Sequence, residues 1–147
     1  MKTDADRNAA VHSAYVPLRI VFGLVPIVAG LDKFTNLLAD WKSYIAPWAE
    51  HFLPVSPSVF MGIVGLIEIA VGVLVCTHFV RYGAYVAAAW LTLIAINLVT
   101  AGFLDVAVRD LGLAVGAFAL GRLALVEAQP FARTQAASPG SRDARVA

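Results

Sequence analysis

Apolar residues fill most of this chain in long unbroken stretches. They neither alternate, as in a half-buried strand, nor form the narrow stripe of a surface helix. Four stretches, roughly Tyr15–Leu38, Ser58–Val80, Tyr82–Leu104 and Val106–Val126, stand out. Each is about 20 residues or longer, enough for a helix to cross a hydrocarbon core about 30 Å thick. Barrel strands facing lipid would alternate, so helices are favoured. The pattern predicts an all-α protein: a four-transmembrane-helix antiparallel bundle forming one membrane domain, 15–126. A polar tail, 1–14, precedes it, and a disordered tail, 127–147, rich in polar residues around Pro139–Asp143, follows it.

The segment between the first two spans has its own pattern. Leu37, Leu38, Trp41, Tyr44, Ile45, Trp48 and Phe52 recur at helical spacing, with Asp40, Lys42, Ser43 and Glu50 between them. This predicts an amphipathic helix over 39–57, lying in the membrane interface and interrupted near Pro47. Its Trp and Tyr suit the headgroup zone. Two roles are open to it: an anchor, or a lid in which Trp41, Tyr44, Trp48 and Phe52 cover a cavity in the bundle.

Prolines and glycines set the expected packing. Pro26 inside the first span predicts a kink or a local opening. Gly23 and Gly30, seven residues apart, permit close approach to another helix. The short turn around Arg81 makes spans two and three antiparallel neighbours. Small residues in span three (Ala84, Ala87, Ala88, Ala89) and span four (Gly112, Gly116, Ala119, Gly121) favour tight helix contacts, either inside the bundle or in a homo-oligomer.

Composition strengthens the membrane reading. Of the 147 residues, 60% are hydrophobic and 14% charged, and mean hydropathy is +0.77. Soluble domains average about 25% charged residues. The net charge of +1 gives no reason to expect nucleic acid as a partner. Cys76 is the only cysteine, which argues against a thiol oxidoreductase working through its own cysteine pair. Lys2, Arg7, Arg81, Arg133, Arg142 and Arg145 fall on one side of the expected bundle; Lys33, Lys42 and Arg109 fall on the other. The excess of positive charge places both termini in the cytoplasm. No set of histidines and cysteines has metal-ligand spacing, so no metal is expected. No phosphate-binding, nucleophile-elbow or dinucleotide motif occurs. No intrinsic cofactor is expected either, and a redox role requires a borrowed one, such as a lipid quinone, or a partner subunit.

Glu68 is the residue that calls for chemistry. Between Val59 and Cys76 it alone is neither apolar nor glycine. A carboxylate at that depth costs at least about 2.5–3.5 kcal/mol to insert, so it is expected to face the bundle interior and meet polar partners. Depth arithmetic at about 1.5 Å per residue ranks Asn97 and Lys33 as its first partners and Arg19 third. Glu68 then either staples two helices together or is the candidate catalytic group of a ligand or proton site. Asp32, Asp105, Arg109 and Asp110 form a second cluster at the outer face. That cluster either closes the bundle, with Arg109 paired to Asp32 or Asp105, or forms a polar vestibule above Glu68.

Three motifs resemble the DoxX family of small bacterial membrane proteins. Arg19-Ile-Val-Phe-Gly23 followed by Ala29-Gly30-Leu-Asp-Lys33-Phe34 resembles the first helix of that family. Gly65-Leu-Ile-Glu68-Ile-Ala-Val-Gly72 resembles the second, and Arg109-Asp110-Leu-Gly112-Leu-Ala the start of the fourth. The resemblance implies a four-helix bundle in the bacterial cytoplasmic (inner) membrane. It also implies a link to quinone-coupled oxidation, as an accessory subunit in a membrane redox complex with membrane lipid and other subunits as partners. A non-enzymatic scaffold or assembly factor, docking through the small-residue faces of spans three and four, is the alternative. A small transporter subunit is a further one.

Overall fold

A computed structural model of the chain describes residues 4–128. Every regular element among them is helical. Helix α1 spans Asp4–Thr35, a 3-10 turn spans Trp41–Tyr44, and α2 is the short helix Pro47–Phe52. Helices α3 (Pro57–Cys76), α4 (Val80–Thr100) and α5 (Leu104–Glu127) follow. Three helices are long and apolar enough to cross a membrane: α1, α3 and α4. Helix α5 is as long, but Asp105, Arg109 and Asp110 stand near its start and Arg122 and Glu127 near its end, which leaves an uncharged run of only 111–121.

Three expectations change. Helix α1 begins at Asp4, so most of the segment expected to be a polar tail is helical. Helical backbone also continues through Pro17 and Pro26, so Pro26 opens no gap in the helix. The amphipathic segment is no single interfacial helix: it is a 3-10 turn, a break and six helical residues. Pro47 accounts for the break, because it starts α2 at its first turn, where a missing N–H costs nothing. The expected C-terminal tail lies, from residue 129 on, outside the described residues.

Local chemistry sets the helix ends. Asn36 takes a left-handed backbone (φ 53°) and its N–H bonds the Asp32 carbonyl, closing α1. Asn is among the few side chains that tolerate this conformation. Ser56 caps α3 by accepting from the Val59 N–H, with Pro57 in the first turn. At the other end of α3 the Arg19 side chain reaches across from α1. It donates to the carbonyl oxygens of Val75 (3.3 Å), Cys76 (2.8 Å) and Thr77 (2.8 Å). A cation there satisfies the carbonyls that a helix end leaves orphaned and opposes the helix dipole.

The four long helices pack in a ring. Helix α1 lies against α3 and α5, and α4 lies against α5 and α3. Glycines set the closest contact. A Cβ on Gly30 would fall 2.5 Å from the Gly65 carbonyl oxygen, and one on Gly72 would fall 2.5 Å from that of Gly23. The two seven-residue glycine pairs thus bring the α1 and α3 backbones together, antiparallel, over two contacts on one face. Helix α5 turns Ala107, Asp110, Ala114, Ala117, Gly121 and Ala124 inward, alternating three and four residues apart as in a coiled-coil seam. Facing it, α4 buries Ala84, Ala87 and Ala95. Part of the small-residue set is thus used inside the chain, while Ala89 of α4 and Ala119 of α5 stay exposed. Gly116 meets the Phe22 ring, and Gly112 faces open space.

The buried apolar residues form two clusters. One gathers Tyr15, Phe22, Val71, Val75, Ala84, Ala87, Ala117 and Leu120, toward the end that holds α1's N-terminus. The other gathers Ala95, Leu98 and Ala107, toward the linker between α1 and α3. On α5, Asp110 falls between Ala107 of one cluster and Ala117 of the other. The outward faces are apolar too: Ile20, Leu24 and Val28 on α1, Leu93 and Ile96 on α4, and Val108, Val115 and Phe118 on α5 are all exposed. Exposed apolar surface on this scale marks contact with lipid or protein rather than water.

Candidate functional site

The four buried charged residues of the described chain are Asp32, Lys33, Glu68 and Asp110. Three of them share one space. Lys33 Nζ lies 2.6 Å from Glu68 Oε2, with both side chains almost wholly enclosed. The glycine contacts explain why the two meet. Lys33 is one turn beyond Gly30 on α1, and Glu68 is one turn beyond Gly65 on α3. Because the helices are antiparallel, the two residues flank the glycine contact from opposite sides. Side chains lean toward their own helix's N-terminus, so both lean back over the glycines and meet there. Asp110 is near enough to act electrostatically on the Glu68 carboxylate. Its own oxygen Oδ1 accepts from Arg109 Nε at 2.9 Å and lies 2.9 Å from a second guanidinium nitrogen. The site thus holds two cations and two anions, Arg109 being the exposed member.

Trp41 roofs this cluster. The Lys33 ammonium sits 3.8 Å from the centroid of the Trp41 ring, a close cation–π contact. The indole Nε1 donates to Asp32 Oδ2 at 2.7 Å, which fixes the ring in that position. Asp32 also accepts from Thr35 Oγ1 and from the backbone N–H groups of Leu37 and Leu38. One carboxylate therefore ends α1, folds the chain back and aims Trp41 at Lys33.

Asn97 holds the next part of the linker. Its amide donates to the Tyr44 carbonyl (2.7 Å) and accepts from the Ala46 N–H (3.2 Å). The Tyr44 ring packs against Phe103, with ring centroids 4.8 Å apart. Trp48 Nε1 donates to Thr100 Oγ1 at 2.9 Å. Of the four aromatic residues expected to form a lid, Trp41 lies against Lys33, Tyr44 packs on Trp41 and Phe103, Trp48 ties α2 to the end of α4, and Phe52 points outward, 78% exposed.

The partner ranking for Glu68 is corrected accordingly. Lys33 makes the contact. Asn97 does not, because its amide is consumed by the linker backbone, whose peptide groups have no helix to satisfy them. Arg19 does not either, being committed to the end of α3. The second cluster is also rearranged. Arg109 pairs with its neighbour Asp110, not with Asp32 or Asp105, and Asp32 faces the linker. Asp105 stays exposed in the first turn of α5. Among the described residues no group of three or more metal-ligating side chains forms.

One residue was missed. Trp90 stands at the midpoint of α4, and its Nε1 is buried with no hydrogen-bond partner among the described residues. The signal was in the sequence: tryptophan in a spanning helix gathers at the headgroup level, not at the centre.

Long apolar helices with apolar outward faces, around a buried ion pair, define a multi-pass integral membrane protein. The sequence model of the DoxX family matches residues 14–101, more than half of the chain, and the chain belongs to that family. Searches of curated proteins and of solved structures found no match. The matched range covers most of α1 and all of α3 and α4. It contains the motifs around Gly30 and Glu68, and it ends before Arg109 and Asp110.

Proposed function

We propose that this DoxX protein is a four-span accessory subunit of a membrane redox system. In this reading α5 also spans the bilayer. Its exposed Val108, Val115 and Phe118 face lipid, its charges sit near its two ends, and Arg122 snorkels toward the headgroups. The excess of Lys and Arg at the end bearing both termini puts that end in the cytoplasm, with the protein in the bacterial inner membrane.

The reading is carried by the enclosed Lys33–Glu68 pair beneath the Trp41 ring. A buried ion pair is poor at stabilising a fold, because desolvation offsets most of the attraction. Ionisable groups in a span are therefore read as ligand or proton sites. The donor set suits a lipid quinone, which offers acceptor oxygens on an apolar body and supplies two-electron chemistry when bound. The chain's own part is to orient the head with the Lys33 ammonium, to hold a proton on the Glu68 carboxyl and to exclude water with Trp41. Electrons come from a partner subunit.

Native mass spectrometry of the protein released in a gentle detergent tests this reading. A copurifying molecule of quinone mass is expected with wild-type protein. Lipid alone, across several lipid extracts supplemented with quinone, would sink it. For the scaffold alternative, docking would rest on the small residues left exposed, Ala89 of α4 and Gly112 and Ala119 of α5.

A further inference from the structure

Trp90 and Glu68 occupy the same level of the bundle on facing helices. Gly83 of α4 packs so tightly on α3 that an added Cβ would fall 2.8 Å from the Val75 backbone nitrogen. The two helices run antiparallel. Seven residues forward from Gly83 stands Trp90, and seven residues back from Val75 stands Glu68. Seven residues are nearly two full helical turns, so each stays on the face turned toward the other helix.

The indole is also oriented. Trp90 as a residue is partly exposed, whereas its Nε1 is enclosed and unpartnered. Part of the residue thus reaches the bundle surface while its N–H is enclosed by protein. A buried donor without an acceptor costs about 1–3 kcal/mol, and buried tryptophans ordinarily find a partner. Among the described residues no acceptor lies within hydrogen-bond reach of the Trp90 N–H.

We propose that the Trp90 N–H and the Lys33–Glu68 pair are two sides of one binding site, and that Trp90 donates to a carbonyl oxygen on the head of an apolar-tailed ligand. The ligand reaches it from the bundle surface beside Trp90. This rests on the ligand-binding reading above and adds a specificity determinant to it. Indole is a donor only, so it pairs with an acceptor oxygen and gains nothing from a donor group. A ligand of equal shape without that oxygen leaves the N–H unpaired.

The test uses the full chain in lipid nanodiscs, with decylubiquinone as the carbonyl probe and decylbenzene as the control without acceptor oxygens. Trp90→Phe keeps an aromatic ring and removes the N–H. Wild-type protein is expected to bind decylubiquinone about fivefold more tightly than the variant does, the loss of one neutral hydrogen bond. Decylbenzene should not distinguish the two proteins. With 15N-labelled tryptophan, one indole N–H resonance, absent from Trp90→Phe, should move downfield with decylubiquinone and stay in place with decylbenzene. Equal decylubiquinone affinity of the two proteins, with that resonance unmoved, overturns the role of Trp90 and leaves the quinone reading standing. Failure of wild-type protein to bind decylubiquinone overturns both, so the two failures are distinguishable. The melting temperature of Trp90→Phe without ligand should equal or exceed that of wild type, which separates lost binding from lost folding.

Discussion

Gly30 and Gly65 face each other across the α1–α3 contact so closely that a Cβ on either would fall 2.5 or 2.6 Å from the other's carbonyl oxygen. Backbone cannot yield as a side chain can, so any larger residue must push the helices apart. Gly30→Ala gains up to about 1 kcal/mol of helix propensity. Overpacking at such a contact costs about 1–3 kcal/mol. The clash wins, and Gly30→Ala should lower the melting temperature in detergent. Gly112→Ala should raise it, because nothing lies within 4 Å of that position and only the propensity gain remains. Helix propensity alone would make both substitutions stabilising, so the opposite signs are diagnostic.

The Lys33–Glu68 pair should behave asymmetrically. Removing one partner leaves a charge buried and uncompensated, and Lys33→Met is expected to cost about 3–5 kcal/mol. Replacing both, as Lys33→Met with Glu68→Met, should restore most of that stability or exceed it. A double-mutant cycle of unfolding free energies checks this. Additive single costs would mean that the two groups do not interact.

Asn97→Ala should loosen the linker and not the bundle. The Ala46 N–H, in a residue that is fully buried, loses its acceptor, at a local cost of about 1–3 kcal/mol. Hydrogen exchange at 44–46 is expected to accelerate while the centres of α3 and α4 keep their protection. Uniform acceleration across the chain would show instead that Asn97 supports the whole bundle.

Arg19→Met should fray the end of α3. Three carbonyls lose their charge-assisted partner at once. Faster amide exchange is expected around Thr77–Phe79, with the Glu68 region unchanged. A loss of ligand binding without fraying would return Arg19 to the site.

Much of this was legible in the sequence, for physical reasons. Continuous apolar runs identify spanning helices because the bilayer leaves few alternatives. The seven-residue spacing of Gly23 and Gly30 pointed to a close helix contact, and the structure places that contact on Gly65 and Gly72. Glu68 stood out because a carboxylate is costly in that setting. Partner choice was less legible. Depth arithmetic ranked Asn97 beside Glu68 by counting from the span ends, whereas the Gly83–Val75 contact sets the register and brings Trp90 to that level instead. The linker's periodicity predicts an amphipathic helix, but the segment is not one helix. Its order comes from hydrogen bonds to the nearby Asp32 carboxylate and to the distant Asn97 amide, which hydrophobic periodicity does not encode. Arg109 was paired across the bundle because sequence spacing does not reveal that Asp110, its own neighbour, lies on the buried stripe of α5.

In the proposed function the Lys33–Glu68 pair binds a ligand rather than holding helices together. Decylubiquinone titration of the Lys33→Met, Glu68→Met double variant in nanodiscs tests it most directly, because that protein is expected to stay folded. The account predicts wild-type melting behaviour with binding reduced at least about tenfold, the equivalent of about 1.4 kcal/mol. A folded double variant that binds the probe as tightly as wild type would contradict it.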